Sequence, residues 1–153
     1  MEYSPVEHAR LIAIAYCYPL VDHADGPAFD GIAEVADSFD DDAHKIVTYL
    51  SDFKAGTVIT ASKIFETFGE DVVEAVTALT RADGEQYDDW IKRVSENKIA
   101  TAVAIRLLKR ILRVTANKGL PESFRLNRLR ALGYLERSIE VRVEESKTNG
   151  KVH

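Results

Sequence analysis

The chain has 153 residues, 29% of them charged, one cysteine and a net charge of −5. A chain of this length fits one domain able to bury roughly 70% of its unfolded surface, so neither a disulfide nor a structural metal is needed for folding. The lone Cys17 excludes an intramolecular disulfide and a zinc ribbon, and the apolar spacing around it predicts a buried thiol on a helix.

In chain order the periodicity is helical almost throughout. Ser4-Pro5-Val6-Glu7 has the form of a capping box, and the spacing predicts a first helix from Pro5 to Tyr18 with Val6, Leu11, Ile14 and Ala15 on one stripe. Pro19 should end it. The N-terminal segment carries no basic leader, and its apolar run is too short for a signal peptide or a membrane span, so a soluble, cytoplasmic protein is expected. Leu20 to Pro27 reads as a loop and Ala28 to Asp37 as the second helix. Asp40-Asp41-Asp42 marks a helix start, because carboxylates favour the positive end of the helix dipole. That third helix is predicted to continue to about Lys54 and to close at Gly56.

Thr60 should cap a short helix ending at Gly69, Glu70 to Leu79 should form another, and Arg81-Ala82-Asp83-Gly84 should turn the chain. Tyr87, Trp90, Ile91 and Val94 recur at helical spacing, and for the Tyr87/Trp90 pair core packing is favoured over a base-stacking platform. Lys98 to Ala116 is a strong helix former and should be central, with Ile99, Val103, Leu107, Leu108, Ile111 and Leu112 on its apolar face. After the break at Asn117 to Pro121, a last amphipathic helix is predicted from Glu122 to about Glu145, carrying Phe124, Leu129, Leu132, Leu135 and Ile139. The expectation is an all-α fold of seven or eight helices, with one domain over 1–146 and a frayed tail over 147–153.

Charge is uneven along the chain. Residues 1–100 hold 8 Lys/Arg against 20 Asp/Glu, and residues 101–153 hold 12 against 5, so the two parts carry −12 and +7. Helices of opposite sign facing solvent or one another account for this, and a basic surface attracting phosphate-bearing ligands is the sharper alternative.

A longer pattern lies between residues 60 and 97. Phe68-Gly69-Glu70, Ala78-Leu79-Thr80-Arg81, Gly84-Glu85-Gln86-Tyr87-Asp88-Asp89-Trp90-Ile91, Arg93-Val94 and Asn97 together resemble the FGEEV…ALTRRDGESYDDYIERVxxN pattern of the small alarmone (ppGpp) pyrophosphohydrolases of the RelA/SpoT type. The resemblance extends over about 5–140 and implies an HD-domain-like helical bundle. In that family an AHxGQ-like histidine, an HD pair, a following ED pair and an aspartate in a KLADLRDN-like helix hold one divalent metal and its water. Here the matching ligand positions are Tyr16, Ser51, Asp52 and Leu107, and the acid/base pair is replaced by Ala55 and Gly56. A second family histidine, about fourteen positions after the first, falls on Asp30.

Such a hydrolase needs nitrogen and oxygen ligands around its ion and carboxylates to activate water, and Tyr16, Ser51 and Leu107 do not supply them. With the ion gone, clustered carboxylates would be costly to bury, so Leu107 and Ile111 are expected to extend the core into the former site. Among His8, His23 and His44, a relocated site on His44 and Asp52 lacks the i, i+4 pairing that grips an ion. Ser51 and Asp52 are adjacent on a predicted helix, their side chains about 100° apart, with no nucleophile elbow. A nucleic-acid surface on Arg125, Arg128 and Arg130 lacks a recognisable motif and is disfavoured on an acidic molecule.

No metal or other cofactor is therefore expected. The first functional expectation is a catalytically inactive HD-type protein that works by binding a protein partner. The second is a non-hydrolysing nucleotide or alarmone sensor with phosphate contacts from Lys54, Arg81, Arg106, Lys109 and Arg110. A residual metal-dependent hydrolase ranks below both. No membrane association is expected, and the apolar face of the last helix would permit self-association.

Overall fold

In the computed structural model, residues 3–17, 26–51 and 60–150 are described, the side chains of 16, 17 and 148–150 excepted. Within them the chain forms eight helices: α1 (Pro5–Cys17), α2 (Ala28–Asp37), α3 (Asp42–Tyr49), α4 (Ala61–Phe68), α5 (Glu70–Leu79), α6 (Tyr87–Ser95), α7 (Lys98–Val114) and α8 (Glu122–Gly150). The all-α expectation holds, with the expected number of helices.

Their starts follow from side-chain caps. Ser4 accepts from the Glu7 N–H, Asp41 from His44, Thr60 from Lys63 and Asn97 from Ala100, each satisfying a main-chain donor that the first turn leaves unpaired. Gly69 (φ 95°) separates α4 from α5, and Gly84 (φ 77°) sits in the α5–α6 turn, both in a region that disfavours any side chain.

α7 is central, as expected, packing against α2, α3, α5, α6 and α8, while α1 lies across α2 and α3. Its first half is the most deeply buried part: Ala100, Thr101, Val103, Ala104 and Ile105 are all buried, and Thr101 Oγ1 donates to the carbonyls of Val94 and Asn97. Around it stand Val47, Ile64, Val76, Val94 and Leu135, each fully buried and each contributing roughly 1.5–3 kcal/mol by leaving water.

Four expectations are corrected. On α1 the core residues are Ala9 and Ala13 rather than the full predicted stripe; Leu11 is 37% exposed, because the two small residues bring α1 close to its neighbours. α3 stops at Tyr49, not Lys54. Leu50 leaves helical geometry, and Ser51 donates both its N–H (3.1 Å) and its hydroxyl (2.7 Å) to the Thr48 carbonyl, a local bond that competes with helix continuation. α7 ends at Val114, two residues early. α8 runs on to Gly150, since no breaker intervenes before that glycine, and on it Leu129 and Ile139 are exposed while Ala131 and Leu135 are buried. The expected closure at Gly56, the loop at 20–25 and the burial of the Cys17 thiol lie outside the described residues.

Candidate functional site

Of the positions that the resemblance sets against metal ligands, Ser51 and Leu107 have described side chains. The Ser51 hydroxyl donates to the Thr48 carbonyl, Leu107 is partly buried against the core, and Ile111 is half-buried outside it. Asp52, Lys54, Ala55, Gly56 and the Tyr16 side chain lie outside the described residues. Among the described residues no three His, Cys, Asp or Glu side chains come together in a metal-binding group. His44 Nδ1 is 2.6 Å from the Asp41 carboxylate and its ring stacks on Phe39 at 4.9 Å, a local arrangement at the start of α3. His8 lies 5.5 Å from the Phe68 ring.

The cations expected to hold phosphate turn toward different elements. Arg106 and Arg110, one turn apart on α7, both face α2. Arg106 donates to the Ser38 carbonyl and hydroxyl, capping the C-terminal end of α2, and its guanidinium lies 3.8 Å from the centre of the Phe39 ring. Arg110 donates to Glu34 at 2.6 Å, and Arg113, a further turn along, takes the other Glu34 oxygen at 2.8 Å. Glu34 is thus held by two guanidiniums, Arg113 and then Arg110, which keep its carboxyl below the usual range. Lys109 points to Glu136 on α8, at 3.7 Å. Arg81 remains in the α5–α6 connection, donating to the Glu85 carbonyl and lying 5.7 Å from the Tyr87 ring.

One heavily bonded cation was not singled out by sequence reasoning. Arg93 on α6 donates to the carbonyls of Thr77 (2.8 Å), Ala78 (3.2 Å) and Thr80 (2.9 Å) at the end of α5, and through Nε and Nη2 to both Glu85 oxygens. Glu85 also accepts from the Ala82 N–H and is held below the usual carboxylate range, chiefly by Arg93. Trp90 adds a bond from its indole N–H to the Leu79 carbonyl, 3.2 Å, and meets Tyr87 edge-on at 5.5 Å. These residues belong to the stretch that carries the resemblance, and here they close the α5–α6 corner. The signal was a Glu85/Arg93 pair eight residues apart, directly after the turn at Gly84.

α8, which packs on α6 and α7, is only half covered. Ala131 and Leu135 anchor it, whereas Leu126 (54% exposed), Leu129, Tyr134, Ile139, Val141 and Val143 face outward. Arg128 lies over Phe124 at 3.6 Å and donates to its carbonyl, and Arg130 reaches Asp88 at 3.5 Å, so two of the three arginines considered for nucleic acid have partners within the protein. An open groove of about 500 Å³ separates the start of α7 from the last turns of α8, lined by Lys98, Ile139, Arg142, Val143, Ser146 and Lys147. No helix among the described residues is long and apolar enough to cross a membrane. The chain matches no protein-family model and no curated protein.

Proposed function

We propose that this protein is a catalytically inactive, HD-type helical domain that works by binding another protein. The observation that carries this reading is the exposed apolar row on α8. Leu126 and Leu129 stand one turn apart and exposed, Leu120 of the preceding loop is exposed as well, and Arg125 and Arg130 are their neighbours along the chain. A contiguous apolar row rimmed by polar groups is what a protein interface presents before it is filled. The resemblance supports the inactive half of the reading, since Leu107 stands where the family has a carboxylate and Ser51 where it has a histidine.

A nucleotide sensor is the less favoured reading, because Arg106 and Arg110 are already engaged with Ser38 and Glu34, and a phosphate would have to displace those groups. Calorimetric titration with ppGpp in the presence of Mn²⁺ tests both points. The expected result is no saturable heat and no turnover. Sustained heat release would return the protein to the hydrolases, and saturable binding without turnover would make it a sensor. For the interface, chemical cross-linking in cell extract should trap a protein on the wild type that the Leu126→Glu/Leu129→Glu variant does not trap.

A further inference from the structure

The groove beside α8 has a counterpart elsewhere on the same chain. Its apolar floor is Ile139 and Val143, one helical turn apart, with Val143 47% exposed. Around that floor stand Lys98, Arg142 and Lys147. Among the described residues Lys98 and Arg142 have no ion-pair partner, and Lys147 reaches only Glu144, at 3.9 Å within its own helix. Chemically the groove suits an apolar side chain accompanied by carboxylates.

Such a feature stands on α4 and α5. Phe65 is 54% exposed and lies one turn before Gly69, whose N–H its carbonyl accepts. Glu66, Glu70, Asp71 and Glu74 follow it, all exposed. Glu66 pairs with Lys63 at 3.6 Å, while Glu70, Asp71 and Glu74 have no ion-pair partner among the described residues. An exposed aromatic ring is a common anchor of a protein contact, and carboxylates beside it favour a cationic seat.

We infer that Phe65 of one copy seats in the α7–α8 groove of a second copy, with the carboxylates of α4 and α5 against Lys98 and Arg142. The occupant is a second copy because both halves of the contact are on this chain and carry opposite charge, Glu66, Glu70, Asp71 and Glu74 after the knob and Lys98, Arg142 and Lys147 lining the groove. Within one molecule the halves are apart: α4 packs on α5, and α8 packs on α6 and α7. The groove volume accommodates an aromatic ring with part of its flanking turn. Knob and groove are different surfaces, so two copies either exchange knobs about a two-fold axis or associate head to tail, as a ring if the rotation closes and as an open chain if it does not. A seat of this size gives weak, salt-sensitive association. The inference goes beyond the partner-binding reading and does not rest on it, because Leu126 and Leu129 lie outside the groove.

Sedimentation equilibrium of the full chain between about 10 μM and about 1 mM, the range of weak contacts, tests it. The mass should rise above the 17.1 kDa of the monomer with concentration and fall back in high salt. Phe65→Asp and Val143→Glu, both at exposed positions, should each remain monomeric over the whole range while keeping the wild-type circular dichroism spectrum. An equimolar mixture of the two should associate at least tenfold more tightly than either alone, because one supplies the groove and the other the knob. A wild type that stays monomeric, an oligomer that neither variant disturbs, or a mixture that stays monomeric would overturn the inference. None of those outcomes touches the Leu126 row, which the cross-linking experiment addresses separately.

Discussion

Gly31 of α2 and Arg110 of α7 touch so closely that a Cβ at position 31 would fall 2.5 Å from the Arg110 guanidinium. Glycine inside a helix costs up to about 1 kcal/mol relative to alanine, and here it makes room for the cation that holds Glu34. Gly31→Ala should therefore displace Arg110 from Glu34 in the wild type. In an Arg110→Ala background the same change should stabilise by about 0.5–1 kcal/mol. A double-mutant cycle by urea denaturation measures the coupling, and additivity would show that the two positions act independently.

Arg93 joins α6 to three carbonyls at the end of α5. Arg93→Ala should destabilise by about 1–2 kcal/mol, because the planar fork is lost and the carbonyls must find other donors. Arg93→Lys should recover less than half of that, since one ammonium does not reproduce the fork geometry. Equal stability of Arg93→Lys and the wild type in chemical denaturation would contradict this.

Acid should weaken the fold through Glu34 and Glu85. Both carboxyls are held below their ordinary value of 4.5 in the folded protein, so the unfolded chain binds protons first. Their contribution is fully present above that value and is lost as the pH falls through the lower folded values. Stability measured between about pH 6 and pH 3 should decline on the acid side, and the decline should be shallower in Arg93→Ala and in the Arg110→Ala/Arg113→Ala variant. Both carboxylates are accessible to solvent, so added salt should flatten the wild-type curve as well.

Two leucines of one helix should respond in opposite ways. Leu135 is fully buried, and Leu135→Ala should cost about 2–4 kcal/mol through lost burial and the cavity left behind. Leu126 is more than half exposed, and Leu126→Ser should stay within about 0.5 kcal/mol. Comparable losses at both positions would mean that α8 is covered on both faces.

Much of the fold was legible because its boundaries are set by local chemistry. The Ala28–Asp37 and Glu70–Leu79 helices, the Thr60 cap and the Gly69 break all rest on signals within a few residues of each other. What was not legible depends on distant partners. Helical spacing marks Leu11 and Leu129 as apolar, but only the position of neighbouring helices decides that Ala9 and Ala131 take the core instead. The end of α3 turned on one hydroxyl, Ser51, choosing a carbonyl three residues back. Clustered cations on α7 suggested phosphate, yet their pairing with Glu34 and Ser38 spans more than sixty residues and leaves no periodic trace. The Arg93 fork was hidden for the same reason, since its acceptors are main-chain carbonyls that look alike in any sequence.

The two anchors of α8 set its place in the order of unfolding. A helix of 29 residues held by Ala131 and Leu135 has far less buried support than α7, whose first half is enclosed on several sides. Its amide protons should exchange with solvent deuterium well before those of α7, by an unlatching that leaves the other seven helices in register. During each such opening the α7 flank that α8 covers is briefly bare, so a ligand that caught it there would slow the relatching and would register as a gain in α7 protection with none in α8.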